Sequence, residues 1–144
     1  MTQPNEIHKI FTQKHTKNAL ISDCLPNLSA CSKNFLWSEF IKSQREIPSI
    51  AVLENIFALA HTLQALRDNV FKAPIIITSG WRSSSYNKQV GGAPSSYHVL
   101  GMACDIKIKS LSPKAVYERL SGHSGGLGLY DSFVHVDIGP KRRW

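Results

Sequence analysis

The stretch Ser96-Tyr97-His98-Val99-Leu100-Gly101-Met102-Ala103-Cys104-Asp105 constrains this chain more than any other. His98 and Asp105 are metal-capable side chains with a glycine between them, and Asp105 runs on into Ile106-Lys107-Ile108, the pattern of a loop that turns into a strand. An imidazole and a carboxylate suit Zn²⁺, but a third ligand is needed to hold it usefully. His135 is the candidate, carried by the β-branched and aromatic run Phe133-Val134-His135-Val136-Asp137 near the C-terminus. Two histidines and one carboxylate leave a fourth tetrahedral position for water, whereas structural zinc sites fill all four, mostly with cysteine. The pattern therefore favours catalysis: a zinc-bound water becomes a nucleophile near neutral pH while the metal polarises a carbonyl, which is the chemistry of amide hydrolysis. Spacing alone leaves a second reading open, in which a chain with six histidines places some near an aspartate with no metal involved.

A length of 144 residues suits one domain with its own core, and 42% hydrophobic with 19% charged content is that of a globular protein without low-complexity segments. No apolar stretch is long enough to span a membrane. Met1 to Lys17 is polar and basic and lacks the apolar segment of a secretory signal, so synthesis in the cytoplasm is expected. Cys24, Cys31 and Cys104 are too few for a disulfide framework, and free thiols are expected, with Cys104 a small core residue beside Asp105. The formal charge of +7 calls for an anionic partner: nucleic acid, a membrane surface or an acidic wall polymer. No basic helix interleaved with aromatics is present, which argues against a specific nucleic-acid module.

Residues 1–33 read as an N-terminal extension, with a short amphipathic turn at Ile7, Ile10 and Phe11 and an extended piece at Ala19 to Ile21. Asn34 to Ile41 is an apolar cluster whose aromatics plug the core, and Ser49 is a plausible N-cap. From Ala51 to Lys72, Val52, Ile56, Leu59, Leu63, Leu66 and Val70 recur at steps of four and three, which predicts a long amphipathic helix carrying the core, with His61 on its solvated side. Strands are predicted at Ile75–Thr78, Ala103–Ile108, Gly125–Tyr130 and Phe133–Ile138, the last closing the sheet, and a helix from Ser112-Pro113 to Leu120. Ser79-Gly80-Trp81-Arg82-Ser83 is a turn that delivers Arg82 at a strand end, suited to gripping a substrate carboxylate but equally to an ordinary surface arginine.

Taken together, the motifs Ile75 to Ser83, Tyr86-Asn87 with Val90-Gly91-Gly92, Ser96-Tyr97-His98 with Gly101, Ala103 and Asp105, and Phe133 to Asp137 resemble the D-alanyl-D-alanine carboxypeptidase-like zinc peptidases. The branch most similar is that of bacteriophages, prophages and murein endopeptidases, which ends in a basic run and a tryptophan like Lys141-Arg142-Arg143-Trp144. The resemblance covers Asn34 to Trp144, so the peptidase domain is expected at 34–144. It implies an α+β fold of the hedgehog/DD-peptidase type, a small, mainly antiparallel sheet carrying the metal site and packed against helices. It also implies that His98, Asp105 and His135 ligate Zn²⁺, that Ser96 lies close to the metal in the substrate-binding region, and that Arg82 binds substrate or steadies the oxyanion.

One departure concerns the general base. Members of the family often carry an acid three residues before the last histidine, where this chain has Ser132; Asp131 and Asp137 are the alternatives, with His123 a weaker third. The function implied is hydrolysis of peptide bonds in peptidoglycan stem peptides or cross-links, by a protein of the phage endolysin type that reaches the wall through the periplasm or with the virion; a monomer is the simplest expectation for a chain of 144 residues. The alternative is an inactive zinc-containing wall-binding module of the same fold, because fold alone does not establish turnover.

Overall fold

The computed structural model describes residues 1–14, 20–25, 29–42 and 44–144. Pro4–Lys14 forms helix α1, whose Ile7 and Phe11 lie one turn apart and are fully buried. The chain before it is stitched down by Thr2 N–H to the Ala30 carbonyl at 2.8 Å and by the Trp37 indole to the Thr2 carbonyl at 3.0 Å. Ala19 lies outside the described residues, and Ile21 opens a 3-10 turn, Ile21–Cys24, where an extended piece was expected. The hairpin β1 (Ala30–Ser32) and β2 (Phe35–Leu36) leads directly into α2 (Trp37–Ile41), and Phe35, Trp37, Phe40 and Ile41 fill the core as the apolar cluster predicts.

Helix α3 (Ile50–Leu66) starts where Ser49 caps it, its Oγ accepting from Val52 N–H at 3.2 Å. Its buried face is Leu53, Ile56, Leu59, Ala60 and Leu63. The expected series drifts from this face at both ends: Val52 and Leu66 are half-buried at its flanks, and Val70 is exposed. The cause at the C-terminal end is a π-helical turn, Arg67–Phe71, closed by Lys72 N–H to the Arg67 carbonyl five residues back at 2.8 Å. A wider turn advances the helical phase, so Phe71 enters the core in place of Val70.

The main sheet has the order β3-β4-β6-β5-β7, with β3 Ile76–Ser79, β4 Ala103–Lys107, β5 Gly126–Leu129, β6 Val134–Asp137 and β7 Arg142–Arg143. The run at 133–138 therefore lies inside the sheet and does not close it; the edges are β3 and β7. All pairings are antiparallel except β5 with β7, which is parallel. Helices α4 (Ser84–Gln89) and α5 (Pro113–Arg119) complete the α+β architecture, and Ser112 caps α5 by accepting from Ala115 N–H at 3.1 Å. Alternation along the central strands sends Cys104, Ile106, Val134 and Val136 into the core and leaves Asp105, His135 and Asp137 on the other face. All three cysteines are free thiols, and His61 is exposed.

Candidate metal centre

Strand register builds two-thirds of the site. Asp105 of β4 and His135 of β6 are direct cross-strand partners, a relation that holds side chains on one face within about 5.5 Å at Cβ. His98 comes from the loop before β4, which is pinned on both sides: Arg82 N–H donates to the His98 carbonyl at 3.1 Å, and the Trp81 indole donates to the Val99 carbonyl at 3.1 Å. Two glycines make this docking possible. A Cβ on Gly80 would stand 2.4 Å from the Phe40 carbonyl oxygen, and one on Gly101, already at φ +75°, would stand 2.7 Å from the Val52 carbonyl.

Ligand-capable atoms of His98, Asp105 and His135 lie within 4.8 Å of one another, all three residues buried. Each imidazole has its far nitrogen occupied. His98 Nδ1 donates to the Gly80 carbonyl at 2.8 Å, which leaves Nε2 as a lone pair 3.3 Å from Asp105 Oδ1. His135 Nε2 donates to Asp137 Oδ2 at 2.7 Å, which leaves Nδ1 as a lone pair 3.5 Å from the same oxygen. Asp105 Oδ1 is buried and makes no hydrogen bond. Three electron-rich atoms converging without a donor between them is the arrangement that a cation stabilises, and an N₂O donor set with this second layer of partners fits Zn²⁺. Protons compete for the same place. Burial resists charge on His135, but Asp105 and Asp137 outweigh it and raise the imidazole pKa. Burial likewise opposes ionisation of Asp105, yet His135 and His98 hold its carboxyl at about 2.

The centre sits on the floor of a cleft of about 640 Å³ whose walls include Arg82, Ser96, Tyr97, Tyr130, Arg142 and Trp144. Arg82 Nη2 is 3.7 Å from Asp105 Oδ2 and contacts Ser79 Oγ, while Nη1 contacts Asn87 Oδ1. The turn bearing Arg82 is braced by buried Gln44, which donates to the Trp81 carbonyl and accepts from Ser83 N–H at 2.6 Å. Ser96 is half-buried at the cleft wall, and its Oγ accepts from His98 N–H at 3.2 Å.

Neither carboxylate weighed as general base lines the cleft. Asp131 is exposed at a separate cavity of about 300 Å³ beside Ile76, Ile106 and Val116. Asp137 is fully buried behind His135, and its oxygens are all engaged: Oδ1 accepts from Gly126 and Gly139 N–H at 3.0 Å each, and Oδ2 accepts from His135 and from Arg142 Nη2 at 2.5 Å. Burial opposes its charge, but these four donors outweigh it and hold its carboxyl below the usual range. Strand alternation does place Asp137 on the His135 face, but on the far side of the imidazole from Asp105. His123 is buried with Nε2 against the Asp137 carbonyl at 2.7 Å and does not reach the cleft. Among the described residues, Asp105 is the one carboxylate in the cleft lining.

Sequence reasoning assigned no role to Arg142, Tyr97 or Trp144. Trp144 packs its ring 5.0 Å from that of His135 and donates to Tyr130 Oη at 2.9 Å. The basic and aromatic ending was the available signal, but only the parallel pairing of β7 with β5 carries those residues to the site.

Fold and site together define a class: an α+β domain whose antiparallel strands and the loop before one of them bring together a buried His/Asp/His cluster able to hold a metal on the floor of an open cleft. Residues 33–137 match the family model described as Peptidase M15, and the chain belongs to that family. The resemblance read from the motifs is borne out at that level. The chain is 30% identical over 115 residues to the peptidoglycan L,D-endopeptidase MepK of Escherichia coli strain K12, covering 74% of this chain and 62% of that protein. It is 38% identical over 82 residues to the probable MepK of Haemophilus influenzae, covering 50% and 43%. It is also 28% identical over 129 residues to the zinc D-Ala-D-Ala carboxypeptidase of Streptomyces albus G, covering 85% and 50%. The chain thus spans about three-fifths of the length of the Escherichia coli relative. Family membership, the zinc carboxypeptidase and the donor set all indicate Zn²⁺ as the metal.

Proposed function

We propose that this chain is a zinc-dependent hydrolase of peptide bonds in peptidoglycan stem peptides or cross-links, with His98, Asp105 and His135 as the metal ligands. The observation that carries the reading is the convergence of two imidazole lone pairs and an unpaired buried carboxylate oxygen on the floor of a cleft, in a Peptidase M15 chain. Relatives named for peptidoglycan endopeptidase and D-Ala-D-Ala carboxypeptidase activity supply the substrate class. An inactive wall-binding module of the same fold is disfavoured by those relatives. Residues 34–144 are the proposed peptidase unit, and residues 1–33 an N-terminal extension whose Ile7, Phe11 and Cys31 pack into the same core; a monomer acting on the wall is proposed, and the phage lytic role rests on the resemblance of the terminal basic run.

Zinc, when bound, supplies Lewis-acid polarisation of the scissile carbonyl and acidifies water. The chain's own groups do the rest. Asp137 keeps the proton of the neutral His135 ring on Nε2, and the Gly80 carbonyl keeps that of His98 on Nδ1, so that each neutral ring turns its lone pair toward Asp105 Oδ1. Arg82, fixed beside Asp105, presents positive charge where negative charge develops on the carbonyl oxygen. Ser96 shapes the substrate wall and orders the His98 backbone.

The test is murein solubilisation by protein loaded with one zinc, followed by mass spectrometry of the released fragments. Fragments bearing new peptide termini are expected from the zinc form and not from His98→Ala or Asp105→Ala. No release, or equal release by the variants, overturns the proposal.

A further inference from the structure

The chain end after β7 lays an indole over a part of the sheet that has no side chain of its own. Gly128 of β5 is the register partner of His135, and a Cβ on it would overlap the Trp144 ring at Cε2 and Nε1. The backbone fixes this placement, with Trp144 N–H donating to the Leu127 carbonyl at 3.1 Å and Leu129 N–H donating to the Trp144 carbonyl at 2.8 Å. From the His135 ring, 5.0 Å away, the surface continues through Trp144 to Tyr130, whose Oη accepts from the indole N–H at 2.9 Å. Tyr130 in turn stacks on Phe133, centroids 4.6 Å apart and planes 13° from parallel. All three aromatics line the cleft.

This wall is rigid and uncovered. Trp144 and Tyr130 are 45% and 43% exposed, whereas Trp37 and Trp81 are buried in the core. Because the indole N–H is engaged by Tyr130, what Trp144 offers the cleft is ring surface, while the Tyr130 hydroxyl keeps its hydrogen to donate. Rings ordered in advance lose little freedom when a ligand covers them. A wall stem peptide, with small and polar side chains, has little apolar surface to lay there. The glycan strand that bears it has pyranose rings, each with a face of C–H bonds that suits the electron-rich face of an aromatic and a rim of hydroxyls within reach of a phenol.

We infer that Trp144, Tyr130 and Phe133 form a carbohydrate subsite that takes a sugar ring of the wall glycan. The inference rests on the hydrolase reading and extends its substrate from a bare peptide to a peptide still attached to its glycan strand.

Two measurements test it on zinc-loaded protein. The first titrates a peptide-free β-1,4-linked N-acetylglucosamine tetramer and follows acrylamide quenching of tryptophan fluorescence. Quenchable emission belongs to exposed Trp144, so the tetramer should protect it saturably in the wild type, and Tyr130→Ala, which keeps the reporter, should lose that protection. The second compares kcat/KM for one wall peptide with and without its disaccharide. The sugar should raise it by about tenfold in the wild type, Trp144→Ala should bring the ratio to about one, and Trp144→Phe, which keeps a ring, should retain part of it. If Trp144 only shields His135, the Ala variant slows both substrates by a common factor and leaves the ratio intact. That result, or absence of protection by the tetramer, overturns the inference. Failure of the wild type to cut either substrate overturns the hydrolase reading instead, and the quenching titration then decides the subsite by itself.

Discussion

Replacing Asp137 with asparagine preserves the shape of a fully buried side chain and removes its charge, and the consequences follow from its four donors. With the retained oxygen turned to the Gly126 and Gly139 N–H groups, the new amide N–H₂ faces His135 Nε2 and Arg142 Nη2, donors set against donors. His135 relieves its share by moving its proton to Nδ1, which places an N–H against Asp105 Oδ1 and removes the lone pair from the metal position. Losing the partner that orients a ligating histidine costs roughly 10- to 100-fold in metal affinity, about 1.4 to 2.8 kcal/mol. The forfeited charge-assisted bond to Arg142 adds a stability loss of about 1.5 to 3 kcal/mol. Competition with a chromophoric zinc chelator measures the first quantity, and urea unfolding of the metal-free protein measures the second. A folded Asp137→Asn protein whose zinc affinity stays within roughly twofold of wild type, short of the tenfold floor, would refute the role given to Asp137 as keeper of the His135 tautomer.

Three further outcomes are expected. Chelation should lower the melting temperature, and zinc at about 100 times its dissociation constant should restore about 2.7 kcal/mol, a gain that Asp105→Ala abolishes; an unchanged melting curve on chelation would contradict a site made of these ligands. Leu59→Ala, at a fully buried position of α3, should cost about 2 to 5 kcal/mol by chemical denaturation, and a loss under roughly 1 kcal/mol would mean that α3 does not carry the core. Burial pushes the Cys31 thiol from 9.0 up to about 12, so the folded state holds this proton more tightly than the unfolded chain does. That stability is fully present below the unfolded pKa and is lost as pH rises toward 12, at up to about 1.4 kcal/mol per pH unit. Wild type should therefore lose stability more steeply than Cys31→Ala across that window, and parallel curves would count against the buried thiol.

The convergence of His98, Asp105 and His135 was legible because the three residues carry metal-capable chemistry and two of them stand in apolar or β-branched runs that read as strands. Ser49 and Ser112 announced their helices because an N-cap is a local interaction, settled within three residues. The inward face of α3 was legible over its middle turns and not at its end, since a π-turn is a tertiary compromise with no periodic signature.

Whether a carboxylate acts as a base or as a brace was not legible at all. Alternation places Asp137 on the His135 face, but the side of the imidazole it occupies depends on Gly126, Gly139 and Arg142, which meet it only when β5, β6 and β7 assemble. Asp131, four residues before His135, looks close in sequence and belongs to another cavity.

By itself the amino-acid sequence determined the donor chemistry, the strands and helix that carry it, and the family pattern they compose, because these depend on residue type and short-range spacing. The tertiary structure alone decided the register that sets Asp105 opposite His135, the position of β6 inside the sheet, and the path that brings Arg142 and Trp144 to the cleft. Those are long-range pairings, and no residue encodes its partner across the sheet until burial of the shared core selects one arrangement.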